Sequence, residues 1–178
     1  MLKWILVGVA AVAAIFAIAV ALQPPDFRLE RSATMRAPAA EAFAQVNDFH
    51  NWRAWSPWEK LDPALKRSYE GPQAGAGATY AWQGNRDVGE GRMTIVESRP
   101  GELVRIKLEF FKPFAATNTA EFSFEPSADG GTAVTWSMSG RNNFLARAIC
   151  VFVNMDRMVG DMFEQGLAQI KGVVERRS

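Results

Sequence analysis

The sequence predicts an α+β fold: a curved antiparallel sheet of about seven strands that clasps a long C-terminal helix, with an N-terminal transmembrane helix ahead of them. Three observations predict it. In the last third, Asn143 to Glu175, the residues Leu145, Ile149, Phe152, Val159, Phe163, Leu167, Ile170 and Val174 recur at spacings of three, four and seven, one stripe of a helix. About 30 residues at 1.5 Å each make a rod on the order of 45 Å, bent near Asn154. From Lys66 to Ser139 the period is two, the signature of strands with one wet and one apolar face. From Trp4 to Leu22 no charged residue occurs.

That apolar run opens the chain. Roughly 19 helical residues nearly cross a hydrocarbon core of about 30 Å. Lys3 precedes the run and Pro24-Pro25 ends it. A cleaved secretory signal is the competing reading, because Ala19-Val20-Ala21 resembles a small-residue cleavage site. The run is longer than the usual signal core, which favours a retained single-pass anchor over residues 1–25 and a separate folded unit over 26–178. Lys3 favours a cytoplasmic start and an extracytoplasmic C-terminal unit, against the pull of Arg28, Arg31 and Arg36.

Asp26 to Arg36 alternates loosely and reads as the first strand. Ala37-Pro38-Ala39-Ala40 then starts a short helix, Glu41 to Asn47. In Phe49 to Pro63 the tryptophans 52, 55 and 58 lie three apart, so they share a side of a helical turn, while Pro57 splits the stretch into two short pieces. Tyr69 lies in a second strand, and Thr79 to Gln83 in a third with Tyr80 and Trp82 on one face. Arg92 to Glu97 follows with Met93 and Ile95 on one face. Val104, Ile106, Leu108 and Phe110 then alternate with Arg105, Lys107 and Glu109. Thr117 to Glu125 sets Asn118, Ala120, Phe122 and Phe124 to one side, and Val134, Trp136 and Met138 oppose Thr135, Ser137 and Ser139 in the last strand. The apolar sheet face needs a partner, and only the closing helix is long enough.

Composition excludes several functions. The chain carries 20 Lys+Arg and 19 Asp+Glu, and setting Lys3 aside with the anchor leaves equal numbers of each sign. Nucleic-acid binding needs clustered cations, so no nucleic-acid partner is expected. One cysteine excludes an internal disulfide, and one histidine argues against a His-rich metal site. His50 reads as a turn histidine rather than a general base, and Cys150 as a helix residue rather than a nucleophile. Gly75-Ala76-Gly77 and Gly89-Glu90-Gly91 lack the third glycine and following helix of a dinucleotide site. Neither a metal nor a cofactor is expected.

The order strand, short helices, six strands, long helix is carried by VNDFHNWRAWSPWEKLDP, YEGP, the YAWQGN and VGEGRM hairpin, TWSM and MDRMVGDMFEQGLAQIK. With these stretches the chain resembles the polyketide cyclase/dehydrase and lipid-transport group of the START-like (SRPBCC, helix-grip) superfamily. The resemblance covers Phe27 to Glu175 and is specific at WxxWSPW and MVGxxFExGL. It implies an incomplete barrel around an apolar pocket and a hydrophobic small molecule or lipid as partner. Only some members are enzymes, and the resemblance carries over no catalytic residue.

On that expectation a cavity between sheet and helix is lined by Trp52, Trp55, Trp58, Tyr80, Trp82, Met93, Ile106, Leu108, Asn118, Phe122, Trp136, Met138, Met155, Asp156, Val159, Met162 and Phe163. In such a fold core and pocket wall are one surface, so each of these is also an ordinary core candidate. The methionines suit a wall that adapts to apolar guests. Asp156 and Asn118 are the polar contacts, and a buried Asp156 without a cation would have a raised pKa. The competing function is a cyclase, dehydratase or hydrolase acting on an apolar or polyketide-like substrate through Asp156, Asn118, Tyr80 or Arg86.

Overall fold

A computed structural model describes residues 1–176. Arg177 and Ser178, the end of the expected 26–178 unit, lie outside the described residues. The elements in order are α1 (Leu2–Leu22), β1 (Asp26–Met35), α2 (Ala39–Asn47), a 3-10 turn (Phe49–Asn51), α3 (Trp52–Trp55), a second 3-10 turn (Pro57–Lys60), β2 (Lys66–Glu70), β3 (Thr79–Gln83), β4 (Glu90–Arg99), β5 (Leu103–Lys112), β6 (Ala116–Pro126), β7 (Thr132–Arg141), α4 (Phe144–Cys150) and α5 (Met155–Val174).

The sheet has seven strands in the order β1-β7-β6-β5-β4-β3-β2, antiparallel throughout. Consecutive strands pair as hairpins except that β1 joins the last strand, β7, so the chain's two ends close the sheet. The alternation read from sequence is the inward and outward alternation observed: Ile106, Phe122, Val134 and Trp136 are buried while Lys107 is exposed. The inner face packs on α2, α3 and α5, and the core runs through Met35, Val46, Trp55, Ile95, Phe122, Leu167 and Ile170.

The rod expected from Asn143 to Glu175 is two helices. Asn143 caps α4 by accepting from the Ala146 amide, and Asn154 caps α5 by accepting from the Arg157 amide. Asparagine at an N-cap replaces an orphan donor's missing partner, so each asparagine starts a helix of its own and the bend at Asn154 becomes a break. Only α5 has its stripe covered. Phe163, Leu167, Ile170 and Val174 are buried against the sheet, whereas Leu145, Ile149 and Phe152 are exposed.

Polar ties fix α5 along β1. Arg31 points inward from β1 and meets Asp156 at 3.0 Å and Glu164 at 2.9 Å. Lys171 Nζ donates to the Thr34 carbonyl at 2.8 Å, and the Arg36 amide donates to Glu175 at 2.8 Å. Gly160 lies over the Arg31 guanidinium, where a Cβ would collide with it. Arg31 thus ties the first turns of α5 to the middle of β1.

Candidate ligand groove

The inner face of the sheet is covered unevenly and divides into a closed and an open half. The closed half is filled by rings. Trp136 stacks on Phe163 with centroids 4.0 Å apart and planes 6° apart, and on its other neighbour Phe122 at 4.6 Å. Trp52 and Trp55 close over them at 4.6 Å from each other, both indoles anchored by Nε1 donating to the Val46 and Gln45 carbonyls. Gly166 allows this contact, since a Cβ there would sit 2.7 Å from the Trp136 ring. Tyr80 and Ile106 complete the wall, both buried. Within this half the helix and sheet touch, and the expected hollow is occupied by the protein's own side chains. One polar atom is left over: the Trp136 Nε1–H is buried with no acceptor, a donor that interiors seldom leave unpaired.

The open half lies at the end of the sheet where β1 begins and β7 ends. Phe27, Trp82, Leu108, Phe110 and Asn118 of the inner face are half-buried there; Val159 and Met162 of α5 are half-buried too, as is Trp58, which stands edge-on to Trp136 and Phe163. Met93 and Met138 form its floor, each nearly covered. The Asn118 amide nitrogen lies 3.9 Å from the Met138 sulfur, a weak acceptor, and Gly140 beside it leaves room for the amide. This end of the inner face is thus an apolar, incompletely covered surface with one polar amide in it. Met155 is exposed at its rim.

Asp156, read as a possible acid in the pocket, is exposed beside Arg31. The Arg31 hydrogen bonds hold its carboxyl below the usual carboxylate range, so it is an ionised tether and the condition for a raised pKa is not met. Tyr80 donates from its hydroxyl to Glu59 at 2.6 Å, and Arg67 closes on the same carboxylate at 2.6 Å. Burial, followed by the Glu59 hydrogen bond, pushes the Tyr80 hydroxyl far up, which keeps it neutral. Arg86 is exposed in the connection between β3 and β4. The residues considered for catalysis are therefore placed in separate clusters.

A second concavity, a cleft of about 380 Å³, lies outside the groove between Phe49, His50, Tyr69 and the Gly71–Gln73 turn. His50 stacks on Tyr69 at 4.1 Å, and its Nδ1 meets Asp48 at 2.7 Å. Asp48 also accepts from the His50 amide at 2.9 Å, so it caps the turn that holds His50. Burial alone would raise the Asp48 carboxyl, but the His50 and Gln73 hydrogen bonds outweigh it and hold the group low. Among the described residues, no three His, Cys, Asp or Glu side chains gather as a metal site.

Residues 26–175 match the family described as "Polyketide cyclase / dehydrase and lipid transport". The chain belongs to that family. No curated protein matches it. The fold is shared with solved structures of low identity. A solution structure from Thermobifida fusca is 21% identical with a TM-score of 0.64 and covers 84% of this chain and 93% of that one. A crystal structure from Chromobacterium violaceum is 16% identical, TM-score 0.59, covering 86% and 99%. The di-domain ARO/CYC StfQ of the steffimycin biosynthetic pathway is 13% identical, TM-score 0.63, covering 85% of this chain and 51% of that one. The family's helix-grip architecture is thereby established for residues 26–175, with its curved sheet and its C-terminal helix α5.

Sequence reasoning missed Phe27 and Phe110 in the open half and Arg31 with Gly160 at the clamp. Strand parity could have found the first three: Phe27, Leu29, Arg31, Ala33 and Met35 are alternate residues of β1, and Phe110 continues Ile106 and Leu108.

Proposed function

We propose that this chain is a membrane-anchored START-like protein that binds a hydrophobic small molecule or lipid in the open half of its groove. Residues 1–25 serve as the anchor and residues 26–178 as the binding unit, held on the extracytoplasmic side. The observation that carries the reading is a set of half-buried apolar side chains, Phe27, Trp82, Leu108 and Phe110 on the inner face of the sheet and Val159 and Met162 on α5, beside a core that is otherwise tightly packed. Leaving so much apolar surface wet costs about 25 cal/mol for each Å² that a ligand would cover.

The site takes an elongated apolar group. Trp136 and Phe163 floor it at the depth where the closed half begins, and Asn118 offers donor and acceptor to one polar function of the guest. Of the expected lining residues, Trp58, Trp82, Met93, Leu108, Asn118, Met138, Val159 and Met162 form this site. Trp52, Trp55, Tyr80, Ile106 and Phe122 support it from behind, and Met155 and Asp156 stand at its rim. The apolar α1, long enough to cross a bilayer by length and composition, keeps the trough near a source of such molecules.

Mass spectrometry of an organic extract of the purified full-length protein tests the proposal. A co-purified apolar molecule is expected, at reduced occupancy in Leu108→Trp, a variant that fills the trough without touching the Trp136–Phe163 stack. An extract without ligand, together with failure of added phospholipid or fatty acid to shift the thermal midpoint, would remove it.

A further inference from the structure

α4 and the turn after it, Phe144 to Val153, carry a surface that the polyketide cyclase groove does not use. Phe144, Leu145, Ile149, Val151, Phe152 and Val153 are all exposed. Phe152 is the most so, at 78%. Between Phe144 and Met155 the only charged residue is Arg147. A water-facing helix ordinarily carries polar residues on its outer face; this one is apolar outside and has its one charge turned inward.

The contacts of this segment say what covers it. Arg147 Nη1 donates to the Gln23 carbonyl at 3.2 Å and to the Ala21 carbonyl at 3.4 Å, so it caps the C-terminal end of α1. Phe152 stacks on Phe16 of α1, with ring centroids 5.8 Å apart. Phe16 precedes Leu22 by six residues, about 9 Å along a helix axis. The depths of the two segments are thereby coupled. If α1 crosses a bilayer with its end at the Pro24-Pro25 boundary, Arg147 lies at that boundary and Phe152 lies well inside the hydrocarbon. The turn is built for that environment, because the Phe152 and Val153 amides both donate to the Ile149 carbonyl at 3.0 Å, and backbone donors at membrane depth need internal partners.

We infer that Phe144–Val153 is a re-entrant wedge that enters the same leaflet as the end of α1 and seats the open half of the groove on the bilayer surface. Antiparallel pairing places the neighbouring pieces to match. The Asn142 amide donates to the Pro25 carbonyl at 2.8 Å, and at this same end of the sheet Phe111 near the end of β5 and Phe114 in the β5–β6 connection are exposed. The trough residues Phe27, Leu108 and Asn118 belong to these strand ends. A bilayer lipid then reaches the trough by sliding its acyl chain upward along Phe152, Met155 and Met158, without crossing water. The wedge rests on the reading of α1 as a membrane span, and it makes the ligand an acyl lipid of that leaflet.

The test uses the full-length protein in phosphatidylcholine/phosphatidylglycerol vesicles. An environment-sensitive fluorophore is placed on Cys150, the chain's one cysteine, and separately on Phe152→Cys and Val12→Cys in a Cys150→Ala background. Expected at Cys150 and Phe152→Cys are blue-shifted emission, quenching by lipids with a nitroxide on the upper acyl chain, and protection from iodide. Iodide quenching at Phe152→Cys with lipid quenching at Val12→Cys overturns the wedge and leaves the anchor standing. Iodide quenching at Val12→Cys overturns both. For lipid entry, the double variant Leu145→Asp/Phe152→Asp is expected to stay in the membrane after alkaline carbonate and to keep its circular dichroism, while transfer of a fluorescent phospholipid to acceptor vesicles falls several-fold. Unchanged transfer would overturn the entry route.

Discussion

The two halves of the groove are made from the same strands and the same helix, yet one is core and the other is surface. In the closed half Trp136 lies flat against Phe163 and Gly166 lets the helix come down on the ring. In the open half Leu108 and Asn118, inner-face residues of β5 and β6 like Ile106 and Phe122, are only half-buried. The rings of α3 and α5 make the difference, because Trp52, Trp55 and Phe163 close on Phe122 and Trp136 in one half, and the Arg31 clamp under Gly160 holds α5 in place. One ring cluster and one ion-pair cluster thus decide how much of an apolar sheet face becomes interior.

Breaking the closed half should have the largest effect. Phe163→Ala removes a nearly fully buried ring from the stack, and a cavity of that kind costs about 3–5 kcal/mol. Equilibrium urea unfolding followed by tryptophan fluorescence measures it. Leu108→Ala, the matching cut in the open half, should cost well under half of that, since a half-exposed leucine gives up less burial and leaves no closed void. Equal losses at the two sites would erase the distinction between the halves.

The clamp comes next. Gly160→Ala drives a methyl group into the Arg31 guanidinium, and overpacking of this sort costs about 1–3 kcal/mol. The double variant Gly160→Ala/Arg31→Ala should recover part of that loss, because the obstacle and the ion pairs go together. Additive losses in this pair would mean that Gly160 serves some purpose other than admitting Arg31.

What was legible before the structure follows the same division. The strands were visible because a sheet with one wet face imposes a period of two, and Thr79 to Gln83 has the bounds expected of it. The closing helix was visible from Val159 onward because its stripe is buried. The break at Asn154 was hidden because the stripe runs on through Phe152, Ile149 and Leu145. Periodicity records that a helix has an apolar side, and it does not record which surface covers that side. The helix before the break turns its apolar side to α1 and to the space around α1, the one after it to the sheet. For the same reason the lining residues formed one undivided set in the sequence, where Trp136 and Leu108 are equally inward. Tertiary packing separates them: Phe163 and Trp55 close on the Trp136 ring, and α5 is tied down by the pairing of Arg31 with Asp156 and Glu164 across more than a hundred residues.

A smaller effect sharpens the open half. Asn118→Leu should change stability by no more than about 1 kcal/mol, since the amide's contact with the Met138 sulfur is weak and a leucine fits a half-exposed strand position. It should still change which guest is kept. With the amide gone, extracted ligand is expected to shift toward species without a polar function near the chain end, read by mass spectrometry against the unaltered protein. An unchanged ligand profile would remove Asn118 from the binding wall and leave selection to the shape of the trough alone.

The smallest expected effect is the pH dependence of the tether. Arg31 lowers the Asp156 pKa in the folded protein, so folding favours the ionised form. The stabilisation is present in full above the ordinary carboxylate pKa and fades as the pH falls through the depressed value. Asp156 is exposed, so solvent screens the pair and its share at neutral pH is small. Asp156→Asn should therefore lower the urea midpoint slightly at neutral pH and converge with the unaltered protein in acid, where Asp156 has taken up its proton. Divergence in the opposite direction, with the variant losing ground only in acid, would mean that the carboxyl is favoured in its protonated form, and the open half would then be bordered by an acid instead of a fixed ion pair.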